Sequence, residues 1–288
     1  MLLGRGRRLL TLAGALAATA AALSAGPAVA AVPDPVPCAG PSCWDPEPTT
    51  EPWQWQLQGR IDLAVPAPVY DIDVDNPTAV VDAIHAQGDR AICYFSVGTY
   101  EPFRDDAGEF PRRVRGRRLA RFENERWLDI RKRRVLAPIM EARFDRCAEK
   151  GFDAVEPDVV DGYQNRTGFR LRGRHQLRYN AWVANAVHER GMAVGLKNDL
   201  GQVRRLLPYF DFAVNEQCFQ YRECDVLDAF IAAGKPVFGA EYRVPLARFC
   251  ERSIAHGFST IRKRFSLKAF RRTCSGATVA TIEELSGL

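Results

Sequence analysis

The chain has 288 residues, of which 40 are Lys or Arg and 35 are Asp or Glu, and its net charge is +5. Three of the basic residues lie in an N-terminal segment that we expect to be removed, which leaves 37 basic against 35 acidic residues. So balanced a charge gives no electrostatic support for nucleic-acid binding. We therefore expect no nucleic-acid partner.

The first 30 residues read as a secretory signal peptide rather than as part of the fold. Arginines precede an apolar run at residues 9–23, and Ala28 and Ala30 offer a small-residue cleavage site. Because the run is short for a membrane anchor, we predict a secreted protein, cleaved near Ala30, without stable membrane insertion. Residues 31–52 are a predicted proline-rich arm or linker, and residues 53–288 are long enough for one large domain.

Short β-branched or aromatic runs alternate with helical patterns from residue 53 onward. The eight candidate strands lie at residues 53–57, 68–73, 91–98, 153–158, 193–199, 212–217, 236–242 and 259–264. Parallel strands joined by crossover helices explain this alternation, and eight is the strand number of an α/β fold of the (β/α)8 TIM-barrel type. The first crossover, residues 58–67, is short and contains Pro66, so we predict an irregular barrel there.

Four helices are predicted between these strands, each from an amphipathic or helix-forming pattern that stops at a glycine. Their ranges are residues 76–88, 128–150, 176–190 and 226–233. Glycine is the residue most often found just beyond a helix end, because it adopts the left-handed conformation needed there. The glycines therefore mark where each chain segment turns back toward the next strand.

Two strand ends carry the candidate catalytic groups. The segment GFDAVEPDVVDGY, residues 151–163, is an apolar strand that opens into Glu156, Asp158 and Asp161, and FAVNEQC, residues 212–218, ends in Glu216. Side chains alternate along a strand, so Glu156 and Asp158 are predicted to point the same way. Paired carboxylates suit glycosidic bonds, because one protonates the leaving oxygen while the other attacks or activates water.

Polar residues recur just after the apolar runs, at the face where barrel active sites lie. The acidic ones are Asp71, Asp73, Glu156, Asp158, Asp161, Asp199, Glu216 and Glu241, with Trp53, Trp55, Tyr94, Tyr163 and Tyr242 nearby. An acidic, aromatic-lined mouth suits a sugar, and especially a cationic one. The simpler alternative for any one position is a polar residue that merely caps its strand.

Several of these residues are candidates for substrate binding. Asp71 and Asp73 are placed to bind amino groups of a substrate, with strand capping as the alternative. Lys197 to Asp199 close the intervening strand and either hydrogen-bond the sugar or hold a catalytic carboxylate, with a structural salt bridge as the alternative for Lys197. The complete predicted substrate-binding set is Trp55, Asp71, Asp73, Tyr94, Glu156, Asp161, Tyr163, Lys197, Asn198, Asp199 and Glu241.

The eight cysteines fit an oxidising compartment better than a metal site. There is no C-x-x-C and no paired-histidine motif, so we predict neither a metal nor another cofactor. The local pairings are Cys38 with Cys43, Cys218 with Cys224 and Cys250 with Cys274. Cys93, in a predicted strand, and Cys147, on a predicted helix, either pair with each other or stay as buried thiols.

The chain also resembles a known family. The strings WQWQLQG, VYDID, ICYFSVGTYE, ERWLDIR, GFDAVEPDVVDGYQNRTGF, YNAWVANAVHERGMAVGLKND, NEQCFQYREC and GKPVFGAEY, in this order, are similar to glycoside hydrolase family 114. Its members are described as (β/α)-barrel endo-α-1,4-polygalactosaminidases. The resemblance implies Asp158 and Glu216 as the catalytic pair, and an α-1,4-linked polymer containing galactosamine as the substrate.

The surroundings of the two carboxylates suggest their roles. Asp158 lies among other acids, whereas Glu216 follows the apolar run Phe212 to Val214. This favours Asp158 as the nucleophile and Glu216 as the acid/base, because an apolar setting raises a carboxyl pKa. The stereochemical outcome depends on the separation of the two groups and stays open.

Two rival functions remain at this point. One is a secreted carbohydrate-binding protein without turnover, and the other is a barrel glycosidase of different linkage specificity, since fold alone does not decide function. The expected partner is a polysaccharide, and we expect a monomer. The basic runs at residues 112–118 and 131–134 are typical of solvated surface, with weak attachment to acidic cell-wall polymers as the alternative.

Overall fold

The structure is a computed structural model that describes residues 31–38, 40, 43–120, 122, 124–274 and 278–279. The predicted signal peptide, residues 1–30, lies outside the described residues. Within the described ranges, no helix combines the length and the apolar character needed to cross a lipid bilayer.

The secondary structure alternates strands with helices along most of the chain. The strands are β1 (Gln54–Gln56), β2 (Val69–Asp73), β3 (Arg90–Ser96), β4 (Thr99–Tyr100), β5 (Arg115–Arg118), β6 (Arg126–Leu128), β7 (Ala154–Asp158), β8 (Ala193–Lys197), β9 (Phe212–Glu216), β10 (Val237–Glu241), β11 (Ser259–Arg262), β12 (Arg271–Thr273) and β13 (Thr278–Val279). The helices are α1 (Thr78–His85), α2 (Arg133–Glu149), α3 (Gly173–His188), α4 (Val203–Leu206), α5 (Cys218–Tyr221), α6 (Asp228–Ala232) and α7 (Cys250–His256).

Eight parallel strands form a barrel of the TIM type, as the sequence predicts. Their order is β1-β2-β3-β7-β8-β9-β10-β11, and β12 and β13 continue the sheet in antiparallel pairing. Each of the eight predicted strands is present. The link between β1 and β2, residues 57–68, all described, contains no α-helix, which confirms the irregular first crossover.

The largest departure from the predicted fold lies between β3 and α2. Residues 97–132 form an excursion that carries a separate three-stranded antiparallel sheet in the order β4-β6-β5. The helix predicted from Leu128 is wrong at its start, because Leu128 belongs to β6 and the Asp129 side chain caps a short 3₁₀ turn, Ile130–Lys132. The helix predicted at residues 226–233 is also split, into the 3₁₀ turn Cys224–Leu227 and α6.

The barrel interior follows from the two-residue period of its strands. On β9, Phe212 and Val214 point into the barrel while Ala213 faces the surrounding helices. Gly195 on β8 makes room for this filling, since a Cβ there would lie 2.3 Å from the Phe212 ring. At the opposite end of the barrel from the strand ends discussed below, Trp44 packs against Phe212 with 5.9 Å between ring centroids.

The predicted arm lies against the outside and base of the barrel in its described part. The Tyr209 hydroxyl donates a 2.7 Å hydrogen bond to the carbonyl of Pro33. Asn185 on α3 donates to the carbonyl of Asp34 and accepts from the amide of Val36, at 2.8 and 3.0 Å. Backbone groups of residues 33–36 therefore have fixed partners on the barrel.

All eight cysteines form disulfides. The three local pairs, Cys38–Cys43, Cys218–Cys224 and Cys250–Cys274, are confirmed. Cys93 and Cys147, left open by the sequence, also pair, and their bond ties helix α2 to barrel strand β3. The oxidising compartment that the cysteine content favours fits this complete pairing.

Candidate active site

A buried lysine at the end of β8 gathers three carboxylates from the strands on either side. The Nζ atom of Lys197 lies 2.9 Å from Oε1 of Glu156, 3.1 Å from Oδ1 of Asp158 and 3.7 Å from Oε2 of Glu216. It also lies 4.6 Å from the centre of the Trp55 ring. Burial alone would lower the pKa of Lys197, but the carboxylates raise it well above its usual range, so the ammonium stays charged.

Strand alternation explains why these groups meet. Residues two or four positions apart on a strand point to the same side. Lys197 and Glu216 each lie two or four positions after a residue of their strand that points into the barrel. Glu156 and Asp158 lie two and four positions after Ala154, which also points inward. Strands β7, β8 and β9 are adjacent and parallel, so their carboxyl ends lie at the same rim. The predicted shared direction of Glu156 and Asp158 is confirmed.

Asp158 is held as a charged carboxylate. Tyr94 donates a 2.7 Å hydrogen bond to Oδ2, and Lys197 and the amide of Val159 donate to Oδ1 at 3.1 and 2.8 Å. Burial would raise the pKa of Asp158, but the Lys197 charge and these hydrogen bonds outweigh it and keep the pKa below its ordinary value. The group is therefore ionised and preorganised at neutral pH.

Glu216 is the more accessible of the two candidate catalytic residues. Its side chain is 30% exposed, while that of Asp158 is 19% exposed. The Tyr242 hydroxyl donates to Oε1 of Glu216, and the backbone amide of Glu216 donates to Oδ1 of Asn198 at 2.9 Å. A carboxyl group that is fixed by a phenol and still open to the cleft can exchange protons with a bound molecule.

The backbone turns sharply just after these strands. Val159, Asn198 and Gln217 have φ angles of +60°, +49° and +66°, in the left-handed region that side chains rarely adopt. A Cβ atom added to Gly98 would lie 1.7 Å from the carbonyl oxygen of Val159, so only glycine fits at residue 98. Strain of this kind is typical of functional sites, where surrounding packing maintains it.

These residues open into one cleft of about 760 Å³. Its lining residues are Arg117, Arg118, Leu119, Ala120, Phe122, Trp127, Asp158, Val159, Val160, Asp161, Asn165, Arg166, Lys197, Asn198 and Glu216. The carboxylates form the floor, and the excursion between β3 and α2 forms one wall. Within the described residues, no cluster of His, Cys, Asp and Glu has the arrangement of a metal site.

Comparison with known proteins places the chain in a family. The model of glycoside hydrolase family GH114 matches residues 35–279. The chain belongs to family GH114. The resemblance read from its sequence motifs is thus confirmed, and the chain is a glycoside hydrolase.

Two solved structures are similar to this chain. Ega3 from Aspergillus fumigatus, determined in complex with galactosamine, is 34% identical, with a TM-score of 0.76 over 80% of this chain and 97% of Ega3. The glycoside hydrolase domain of PelA from Pseudomonas aeruginosa is 16% identical, with a TM-score of 0.61 over 77% of this chain and 98% of that domain, and supports the fold alone. No match was found among curated protein sequences.

Asp71 lies beneath the floor of the GH114 cleft rather than on its surface. It is fully buried, and among the described residues no N–H or O–H donor reaches either carboxyl oxygen. Burial and the neighbouring charge of Glu156 raise the pKa of Asp71 well above its usual range, which favours the neutral carboxyl. Glu156 accepts a 3.1 Å hydrogen bond from Trp55 and faces Lys197, which places it as a support of the lysine.

Two other predicted substrate-binding acids have protein partners instead. Asp73 accepts two hydrogen bonds from Arg104, at 2.6 and 2.8 Å, so its charge is already compensated. Glu241 points out of the barrel, since Phe238 and Ala240 are the inward residues of β10. It accepts from the amides of residues 219 and 220 at 2.8 and 3.4 Å, and burial raises its pKa to about 7. Glu241 thus fixes helix α5, directly after Glu216.

The remaining predicted residues divide between the cleft and its support. Asp161 and Asn198 line the cleft, and burial together with the Asp158 charge raises the pKa of Asp161. Tyr163 and Asp199 lie behind it. Burial raises the pKa of Asp199 to about 8 despite a 3.0 Å hydrogen bond from Asn180.

Sequence reasoning missed the wall of the cleft contributed by the excursion. Arg117, Phe122 and Trp127 line it, yet none lies directly after a predicted barrel strand. Glu125 was missed as well. It accepts a 2.9 Å hydrogen bond from Thr99, and burial raises its pKa to about 7. The sequence signals for this wall are the basic run at residues 112–118 and the family-like string ERWLDIR, residues 125–131.

Proposed function

We propose that this chain is a secreted endo-glycosidase that hydrolyses an α-1,4-linked, galactosamine-containing polysaccharide. One observation carries the proposal. The carboxylates of Asp158 and Glu216 both lie within 4 Å of the Lys197 ammonium nitrogen, at the base of an open cleft. Membership of GH114 and the similarity to Ega3, solved with galactosamine, support the substrate class. The complete disulfide pairing supports secretion.

Asp158 is the proposed nucleophile. Its low pKa keeps the carboxylate ionised, and an Oδ atom attacks the anomeric carbon while the bond from that carbon to the leaving oxygen breaks. Glu216, open to the cleft, donates its proton to the leaving oxygen. In the second half of the reaction Glu216 takes a proton from water, and the resulting hydroxide displaces Asp158 from the sugar.

Retention of anomeric configuration follows from this proposal. The Lys197 nitrogen lies 3.1 Å from Oδ1 of Asp158 and 3.7 Å from Oε2 of Glu216, so these two oxygens are no more than about 7 Å apart, which excludes most of the separation range of inverting enzymes. Retaining glycosidases have carboxyl groups about 5 to 5.5 Å apart, whereas inverting ones need a wider gap for water. The short separation of the Asp158 and Glu216 carboxyl groups thus supports a covalent intermediate rather than direct attack by water.

Recognition of an amino sugar is assigned to the floor of the cleft. Lys197 compensates part of the charge of Asp158 and Glu216. Asp161 lines the same cleft, and among the described side chains Asn165 alone donates to it, at 3.5 Å to Oδ1. An ammonium group of galactosamine bound beside Asp161 would oppose the raised pKa of that carboxyl and favour the ionised carboxylate. We therefore propose Asp161 as the principal contact of the substrate amine.

The decisive test is hydrolysis of partially deacetylated α-1,4-linked galactosaminogalactan, with product sizes and anomeric configuration measured by mass spectrometry and NMR. Asp158→Asn and Glu216→Gln should each lose activity by about a thousandfold or more. The exposed residues Asp105 and Glu223 supply matched controls, as Asp105→Asn and Glu223→Gln. Binding of the polymer without cleavage by the native chain would favour the binding-protein alternative, and cleavage of other linkages only would contradict the substrate.

A further inference from the structure

Three arginines line the cleft wall that faces the acidic floor. Arg117 and Arg118 lie on β5, and Arg166 lies in the loop that follows β7. All three side chains are exposed. Among the described residues, none of the three guanidinium groups forms a hydrogen bond or an ion pair.

Three other arginines of the excursion after β3 are engaged by the protein itself. Arg115 donates to the carbonyl of Phe110 at 2.9 Å, and Arg126 donates to the carbonyl of Gly116 at 3.1 Å. Arg131 donates to Asp129 at 2.7 and 2.8 Å. These side chains hold the excursion together, while those on the cleft side keep their donors available.

The backbone that carries the cleft-side arginines is packed in place. The amide of Arg117 donates a 2.8 Å hydrogen bond to the carbonyl of Thr167. A Cβ on Gly116 would lie 2.3 Å from that carbonyl oxygen and 2.6 Å from the Phe169 ring, so strand and loop are in close contact. The loop that bears Arg166 and the strand that bears Arg117 are thus joined, and together they present their charges along one wall.

The cleft consequently has two zones of opposite charge. A polymer made only of cationic units would meet favourable carboxylates on the floor and unfavourable guanidinium groups on the wall. A guanidinium group is planar, always charged and matched in shape to a carboxylate or phosphate. The nearby floor carboxylates Asp158 and Asp161 would repel a doubly charged phosphate more strongly than a singly charged carboxylate.

We propose that Arg117, Arg118 and Arg166 form a subsite for a carboxylate-bearing sugar unit next to the cleaved bond. This inference rests on the proposed function and makes it more specific, because the preferred glycan then carries amino and carboxylate groups on different units. Phe122, 58% exposed, lies on the same wall and offers an apolar surface to the sugar ring.

The test compares two derivatives of one α-1,4-linked galactosamine polymer, substituted to the same degree with N-succinyl or N-acetyl groups. Both groups remove an amine charge, but only succinylation adds a carboxylate. We expect kcat/KM to be roughly tenfold higher for the succinylated polymer at low ionic strength, as the sum of three exposed ion pairs allows. Added salt should diminish that preference.

The combined variant Arg117→Gln, Arg118→Gln and Arg166→Gln should lose the preference, so that its kcat/KM becomes equal for the two polymers. The matched control changes three exposed arginines outside the cleft lining, as Arg112→Gln, Arg113→Gln and Arg170→Gln. This control variant should keep the preference for the succinylated polymer. Equal rates on both polymers, or a preference that survives in the cleft variant, would overturn the proposal.

A binding measurement separates failure of the subsite from failure of the proposed function. Glu216→Gln protein is titrated calorimetrically with short α-1,4-linked oligogalacturonates, which carry a carboxylate on every unit. Saturable binding that disappears when the three cleft arginines are also changed supports the subsite even if neither amino polymer is cleaved. Absence of binding, or binding that persists without the arginines, contradicts it.

Discussion

Lys197 holds its ammonium nitrogen 3.1 Å from Oδ1 of Asp158, and the two residues come from adjacent barrel strands. The same nitrogen contacts Glu156 below and Glu216 beside it. One buried cation thus sets the charge of the whole floor, so removing it should alter protonation as well as geometry.

Replacing this lysine should shift the pH dependence of activity. In Lys197→Met the pKa of Asp158 rises, because burial is no longer opposed by the ammonium. The acidic limb of kcat/KM, which requires ionised Asp158, should therefore move to higher pH, with kcat lowered by about a hundredfold. An unchanged acidic limb in a variant that still folds by circular dichroism would contradict the assigned role. Lys132→Met, at an exposed position, is the control.

The raised pKa of buried Asp71 should make stability depend on pH. The folded-state pKa of Asp71 is raised, so its stabilising contribution is complete below the unfolded pKa of about 4 and is lost as pH rises toward the folded pKa. The asparagine in Asp71→Asn cannot ionise. The melting temperature of this variant, relative to that of the native chain, should therefore increase as pH rises from about 4 to 8. Thermal melts across this range test the prediction, and a constant difference would contradict it.

The close approach of Gly98 to Val159 should make Gly98 intolerant of any side chain. In Gly98→Ala the new Cβ would lie 1.7 Å from the Val159 carbonyl oxygen, which forces the backbone after Asp158 to move. We expect a loss of about 1 to 3 kcal/mol in the free energy of unfolding, together with reduced kcat. Gly108→Ala is the control, since no atom lies within 4 Å of its added Cβ. Equal denaturant midpoints for the two variants would refute this.

Two disulfides should separate stability from activity. The Cys93–Cys147 pair spans 54 residues and the Cys218–Cys224 pair spans 6. Loop-closure entropy predicts a loss of about 4 kcal/mol for the first and about 2 kcal/mol for the second when both cysteines become alanine. Only the second pair fixes the chain just after Glu216, so its removal should lower kcat more. Urea denaturation and turnover of both double variants make the comparison, and the reverse order in kcat would contradict it.

The sequence predicted the barrel because its strands and helix ends carry local signals. The glycines after α1, α2, α3 and α6 correctly mark the turns, and the alternation around Val155 correctly points Glu156 and Asp158 inward. The same alternation applied to β10 would have turned Glu241 outward, since Phe238 and Ala240 fill the interior. The outward direction of Glu241 can therefore be predicted from the sequence of β10.

Other parts of the site depend on contacts between distant residues. Asp73 forms an ion pair with Arg104, which belongs to the excursion after β3. No local sequence pattern predicts this contact. The strands of the excursion are only two to four residues long, so they are too short to show an alternation of apolar and polar residues. Sequence periodicity accordingly finds the floor of the cleft but not its wall.

The contact between Trp44 and Phe212 has a practical consequence for handling the enzyme. It lies at the base of the barrel, and the hydrogen bonds to Pro33 and Val36 keep the chain on that side from residue 33 onward. A tether attached through a flexible spacer ahead of these residues would leave the cleft facing solution. Surface-immobilised enzyme should therefore still reach an insoluble polymer film, whereas attachment through the arginine-rich wall would block it.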